Sequence, residues 1–576
     1  MLSLLALSCL VPAVPAYAAD QIVTSTNDSG AGSLRRAIAD VGAGGTITFN
    51  LTYPATIILT SGCLTIDKNL TITGPGADQL TISGNSASRV LQIESSSTLS
   101  ISGLTITDAE VSVGDGGGAV DSSGTFNASD CVFSNNFAYE GGGAIRNDSG
   151  GTLHLSNCTF SDNDSSDGAG AVGNSGVATI ETCAFSNSDG PFGGAVYNNG
   201  TITIISSAFT NNSAGSLGGG LANAGTATIS SCTFCGNEAG AGSGALHNFP
   251  DESVTLRNCT FSGNSATSAG GALANLGTAS ISNCTFLGNF VAASGVGGAI
   301  ANYDTLNIKN SIVGSCPEGD CCSSSGPWNA FGVGFDTDGT CAGFTQKTPA
   351  QLNLGPLADN GGATRTHALL SGSAAIDAAT DCTDLAGAAV TTDQRGLARP
   401  FGEHCDVGAY EFRGPPATSA AFRVASIGDT FADGTFAATA FEVSGADIAE
   451  WVQVIGLVEV GDVVMLDPAQ PGAYTLADGP CWTRVAGVVV AQPGIALGSG
   501  LDAGDRALLA LVGIVPVKVT DEGGPIRPGA LLVTSSTPGH AMRWDGDEPC
   551  PCALVGKALE PMTDESGMIL VLLTAH

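Results

Sequence analysis

Three groups of residues in this chain have the types and spacing for chemistry. Asp162, Asp164 and Asp167 cluster in one short stretch, with Glu140 and Asp148 shortly before them. Grouped carboxylates are the hard oxygen donors that calcium takes, so these three are the candidate metal site, although acidic loop tips are more commonly just solvated. Cysteine forms the second group. Cys131, Cys158, Cys183, Cys232, Cys259 and Cys284 recur at one sequence position, whereas Cys316, Cys321, Cys322, Cys341, Cys382 and Cys405 lie in irregular, Gly-rich sequence. Small buried thiols pack as hydrophobes, so the first set is expected to be a structural ladder of free cysteines. The second set is the disulfide candidate. Cys321 and Cys322 lack a second Cys or His pair at ligand spacing, which argues against zinc. The third group is Ser535, Ser536 and His540. An acylating serine needs a base within hydrogen-bond reach and an oxyanion hole, whereas Thr-Ser-Ser-Thr-Pro-Gly reads as an ordinary turn.

A repeat must position most of these residues. Between Thr98 and Val313 one nine-residue phrase recurs, clearest as TLHLSNCTF from Thr152, TATISSCTF from Thr226 and TASISNCTF from Thr278. Its closing residues are Ile106, Phe133, Phe160, Phe185, Phe209, Phe234, Phe261, Phe286 and Val313, at intervals of 24 to 27. That period is the mark of a solenoid. Where Cys and Phe give way, to Leu104, Ser207 and Ser311 or to Ile106 and Val313, small or apolar volume is kept and thiol chemistry is discarded, so the phrase specifies a core. A second phrase, Gly-Gly-Ala-hydrophobic-x-Asn, alternates with it and ends at Asn147, Asn174, Asn198, Asn223, Asn248, Asn275 and Asn302. Short alternating runs bounded by Gly, Asn and Ser read as strands and corners, and about 25 residues would close one turn of a three-sided coil. The seven Asn are expected to stack amide on amide. A third line, Asn136, Asn163, Asn212, Asn237, Asn264 and Asn289, broken by Ser188, reads as corner formers in the left-handed conformation.

Composition narrows the class. An apolar content of 43% over 576 residues is ample for a core, and 53 acidic against 19 basic side chains give −34, which repels nucleic acid and anionic membranes. Residues 1–18 read as a secretory signal with cleavage after Ala18. No later stretch is long and apolar enough to span a membrane. After Pro416 the repeats stop: 413–446 reads as a linker and 447–576 as a compact all-β domain with Gly-Asp and Pro-Gly turns.

Two flanking segments add a family likeness. Ser33-Leu34-Arg35-Arg36-Ala37-Ile38-Ala39 followed by GGTITFN resembles the N-terminal cap of secreted bacterial β-helices, with Leu34, Ala37, Ile38 and Val41 on one helix face to cover the first coil. NLGPLADNGGATRTHALLSGSAAIDAA and DQRGLARPFGEHCDVGAYEF resemble the closing segment of choice-of-anchor β-helix proteins. The GGAI-like and FxxN-like phrases resemble the repeats of polymorphic outer-membrane proteins and pectin-lyase-like solenoids. The resemblance implies an all-β chain: a cap at 19–54, a right-handed parallel β-helix at 55–315, a disulfide-rich closing segment at 316–412 and the smaller all-β domain. Asp377, Asp393, Arg395, Arg399, Asp406 and Glu411 are then expected to tie the irregular closing backbone to the last coil through paired charges and hydrogen bonds.

Function reads as a noncatalytic secreted or cell-surface bacterial scaffold, adhesin-like, contacting carbohydrate, matrix or neighbouring cells. It needs no cofactor, calcium being the one candidate. The alternatives are a polysaccharide lyase or glycoside hydrolase and a self-processing appendage. A lyase needs a basic residue beside cation-binding carboxylates; here Arg146, Arg257, Lys309, His154 and His247 are scattered over separate coils at differing repeat positions.

Overall fold

In a computed structural model, residues 20–413 are described except 293 and 318, and so is 448–573 except 468–469, 471–472, 480–484, 491–494, 498–505, 545–553, 563 and 565. The signal segment 1–18 and nearly all of the 413–446 linker lie outside the described residues.

The repeat folds as a parallel β-solenoid. In the copy at Thr152, the strand Thr152–Ser156 buries Leu153 and Leu155, the chain turns at Asn157, and the strand Thr159–Ser161 buries Phe160. Successive copies pair in parallel register, so like residues stack. Face A has 13 strands, from Gln21–Val23 to Trp328–Phe331, and face B has 13, from Ala55–Ile58 to Thr345–Gln346. Face C has 11, from Leu64–Ile66 to Cys322–Ser324, and carries the Gly-Gly-Ala phrase.

Three sides are not the whole cross-section. A fourth, eight-stranded face D runs from Glu110–Gly116 to Phe290–Val291, between faces B and C, so the expected three-sided coil is four-sided over these copies. Its strands escape notice because their inward positions hold small residues, such as Ala138, Ser165, Ala214 and Ala239, in place of alternating bulky ones.

The core is built from ladders. Seven rings from Phe133 to Phe286 stack at centroid spacings of 4.5 to 4.9 Å, tilted 5 to 9°. Asn147 through Asn302 form the expected amide stack, each Nδ2 donating to the next Oδ1 at 2.7 to 2.8 Å. The line at Asn136 differs from its reading as corner formers. Those side chains are buried and bond to one another, as at 2.9 Å from Asn212 Nδ2 to Asn237 Oδ1. The left-handed corners are the residues just before them, Asn135, Asp162, Asn187 and Asn211.

The glycine before Ala in the second phrase has a steric cause. A Cβ on Gly143, Gly170 or Gly194 would lie 2.1 to 2.2 Å from the carbonyl oxygen of the matching glycine one coil on.

The solenoid begins earlier and ends later than the repeat. Gln21–Val23 and Gly45–Phe49 already pair on face A, and the helix Leu34–Asp40, N-capped by Ser33, turns Leu34, Ala37 and Ile38 inward. Beyond 315, Cys322–Ser324, Trp328–Phe331 and Phe335–Asp336 continue faces C, A and B without the repeat phrases. Coiling needs only apolar residues at the inward positions, and Cys322 and Phe335 are buried there.

Two units are distinguished: 1–348 with 379–396 and 407–409, and the remainder. Within the second, Ile448–Leu573 forms a ten-stranded, mainly antiparallel sheet crossed by the long strand Arg506–Thr520. Also in the second unit, Arg399 lies 3.4 Å from Glu411, both fully buried, while Asp406 accepts the N–H groups of Asp377 and Phe412. These are structural ties of the closing segment.

Candidate functional site

Side chains alternate across a strand, so face A presents three outward rows. The middle row runs Ser100, Asn127, His154, Thr179, Thr203, Thr228, Thr255, Ser280 and Asn307. It is a file of hydroxyls and amides interrupted by one imidazole. Two grooves lie on this face. The first, about 340 Å³, is lined by Ser100, Asn127, His154, Thr179 and Glu181 among others.

The second groove, about 450 Å³, has Thr255, Ser280 and Asn307 on its floor and Phe331, Arg257 and Asp384 on its walls. A strap, Ala379–Gly396, forms one of these walls. Gln394 anchors it by accepting from Thr260 Oγ1 at 2.6 Å and donating to Thr233 Oγ1 at 2.9 Å, and Asn258 donates to Thr392 O. Two ion pairs pin it to face A, Arg257 to Asp384 at 3.4 Å and Lys309 to Asp381 at 2.7 Å. Partial burial pushes the Asp381 carboxyl up, but Lys309 and the Thr383 hydroxyl outweigh it and hold the group below the ordinary carboxylate range.

Arg257 and Lys309 are not at differing repeat positions: with Ser282 between them they share one register row. His154 stands in the middle row, while Arg146 and His247 lie on face C. Arg146 is engaged by Asp121 at 2.8 Å and by Asp148 at 3.1 Å. His247 is buried, its ring edge-on to Phe249 at 4.8 Å, and burial pulls its pKa down to about 4.

The acidic candidates do not converge. Asp162 occupies a left-handed corner, Asp164 stacks between Phe137 and Asp189, and Asp167 pairs with Glu140. Among the described residues no three His, Cys, Asp or Glu side chains gather as a metal site. Partial burial, then the charge of Asp189, raises the Asp164 carboxyl.

The cysteines fall into free and bonded sets. Cys131, Cys158, Cys183, Cys232, Cys259 and Cys284 are free and buried. Cys316 bonds Cys321, Cys322 bonds Cys341, and Cys382 and Cys405 are also in disulfides. Cys235, which replaces the Ser or Thr after the repeat Phe, is disulfide-bonded too; that replacement is the signal that could have revealed it. Burial, reinforced by Cys259, pushes the Cys232 and Cys284 thiols well above their ordinary range. Because all six are buried in the core, out of a reagent's reach, iodoacetamide on the native protein at neutral pH is expected to label none of the six ladder cysteines and all of them after denaturation. Peptide mass mapping reads the difference.

In the C-terminal sheet Ser535 is fully buried, its Oγ directed at the carbonyls of Thr537 and His540, while His540 Nδ1 faces Pro538 O. Serine and imidazole are thus both turned to backbone, as in a turn.

Phe331, Asp381 and Asp384 are the site residues that sequence reasoning missed. They lie outside the repeat, and only the strap brings the two acids to face A.

Residues 143–316 match the family described as right handed beta helix region, and residues 130–148 match the Chlamydia polymorphic membrane protein repeat. No curated protein matches the chain. Among solved structures it is similar to the PL6 family alginate lyase AlyGC, at 12% identity and TM-score 0.32 over 61% of this chain and 55% of that one. It is also similar to ORF18 of Geobacillus virus E2, at 12% identity and TM-score 0.23 over 54% and 58% of the two chains. The chain therefore spans little more than half the length of these structures. Its coils form a right-handed parallel β-helix that carries a repeat of the polymorphic-membrane-protein type.

Proposed function

We propose that this chain is a secreted or surface-displayed bacterial scaffold whose face A holds carbohydrate without turning it over. The observation that carries this reading is the second groove. Phe331 is 48% exposed at its edge and offers a ring face for a sugar to stack on, above a floor of hydroxyls and an amide that can bond sugar hydroxyls. The groove's Arg257 and Asp384 are engaged with each other, which leaves neither poised as a free base or acid. Surface display is supported by the polymorphic-membrane-protein repeat, and no described helix is long and apolar enough to cross a membrane.

Affinity electrophoresis through gels of neutral and uronate-containing polysaccharides tests the binding. Retardation by at least one polymer is expected, weakened about tenfold in F331A, roughly the 1.4 kcal/mol of one lost stacking contact. No retardation, or an unchanged F331A, would sink the reading. New reducing ends or unsaturated products in the same incubations would overturn the noncatalytic part.

A second reading, a carbohydrate-active enzyme, rests on His154 and Glu181 sharing the first groove. It requires turnover that H154A abolishes. Self-processing has weaker support, given where Ser535 and His540 point, and it predicts chain cleavage visible by intact mass.

A further inference from the structure

One strand in the sheet of the second unit is apolar on both sides. In Ser566–Leu573, Ile569, Val571 and Leu573 are buried in that unit's core, while Met568, Leu570 and Leu572 alternate with them and stay 38 to 50% exposed. An antiparallel sheet with one face in water reads apolar on one side and polar on the other. SGMILVLL reads instead as a strand covered on both. Its neighbours widen the bare face: antiparallel register sets Ile514 beside Leu572 and Pro516 beside Leu570, and on the opposite edge Leu559 donates its N–H to Leu570 O. Val460 adjoins the far end, since a Cβ on the next residue, Gly461, would lie 3.0 Å from Met568 Cε. Ile514, Leu559 and Val460 are 37 to 41% exposed.

Charge restricts what can lie on this face. Its outward strand positions hold no carboxylate; Lys518 stands at one end, held by Glu459 and Asp462 at 2.8 Å each, and Lys557 lies beside Leu572. A chain of −34 repels its own copies over most of its surface. Here two copies can meet without opposing carboxylates.

Size points the same way. At roughly 80 Å² per side chain, Val460, Ile514, Leu559, Met568, Leu570 and Leu572 expose about 500 Å², near the top of what a monomer leaves bare. Two such faces pressed together bury about 1,000 Å² of apolar surface, and with their rims they reach the ~1,200 Å² at which specific complexes begin.

We propose that a second copy of this chain packs on this face about a two-fold axis along the strands. Ile514 of each copy then meets Leu572 of the other, and the apolar stem of Lys518 lies over Met568. Sedimentation velocity on the full chain tests this. Between about 1 and 100 μM the average mass is expected to rise from one copy toward two, and to rise further in ammonium sulfate, which strengthens apolar burial. L570K and L572K, both at outward positions, are expected to raise the dissociation constant at least about hundredfold, because each buries a charge that has no partner. V177K, at an exposed apolar position of face A, is expected to leave it unchanged. Circular dichroism and the melting temperature of each variant show that it is folded. A single-copy mass at every concentration would overturn the proposal, even where hydrogen exchange finds the face covered by a segment of the same chain. Pairing that both lysine variants retain would overturn it as well. Either outcome leaves the carbohydrate reading untouched, because that reading stands on Phe331 and its groove.

Discussion

Substitution of Phe209 by Ala is expected to cost about 3 to 5 kcal/mol, because it deletes a fully buried ring from the middle of a closed stack. Phe209 lies 4.8 Å from Phe185 and 4.5 Å from Phe234, so two stacking contacts vanish together and the cavity is walled by rings that cannot collapse into it. In a solenoid each coil touches only its neighbours. The loss should therefore be regional. Hydrogen exchange should accelerate in the coils around Phe185, Phe209 and Phe234 and stay close to native near the N-terminal helix. Uniform acceleration over all coils, or a change within 1 kcal/mol, would refute this account of the stack.

The second large effect is expected at a residue with no side chain. Gly194 sits where a Cβ would meet the carbonyl oxygens of Gly219 at 2.2 Å and Ser213 at 2.4 Å, both backbone atoms that cannot turn aside. Gly194→Ala is expected to destabilise the coil by about 3 kcal/mol or more through forced separation of neighbouring coils. Gly200 meets the same kind of obstacle at another corner, where a Cβ would lie 2.2 Å from the carbonyl oxygen of Gly176. Chemical denaturation of G194A measures the cost. A variant as stable as the parent would mean that the coils can open at this corner, and the glycine line would then need another cause.

How much of this was legible follows from what a repeat can encode. Stacked coils place each repeat position in one recurring environment, so the Phe, Cys and Asn lines announce themselves through their spacing. What spacing does not tell is which of two adjacent polar residues turns inward. Asn135 and Asn136 are the same amino acid, yet the first takes the left-handed corner and the second joins a buried ladder. Face D was illegible for a related reason: a strand with one small inward residue per coil has no alternation to read. The second groove lies beyond any periodic signal. Phe331 follows the last repeat phrase, and Asp381 and Asp384 reach face A only because a strap anchored by Gln394 runs back over the coils. The three-dimensional path of a non-repeating segment leaves no trace in a period.

The amide ladder at Asn147 has a direction. Every Nδ2 donates toward the C-terminal neighbour, from Asn147 to Asn302, and Asn302 hands its proton to Ser324 Oγ at 3.0 Å. At the other end, Asn147 Oδ1 is buried and receives no hydrogen bond. Head-to-tail amides polarise one another, so the file acts as a row of aligned dipoles over the seven coils from Asn147 to Asn302. The repeat thus has an electrical sense along its axis, and its first and last coils, though built from one phrase, are not interchangeable.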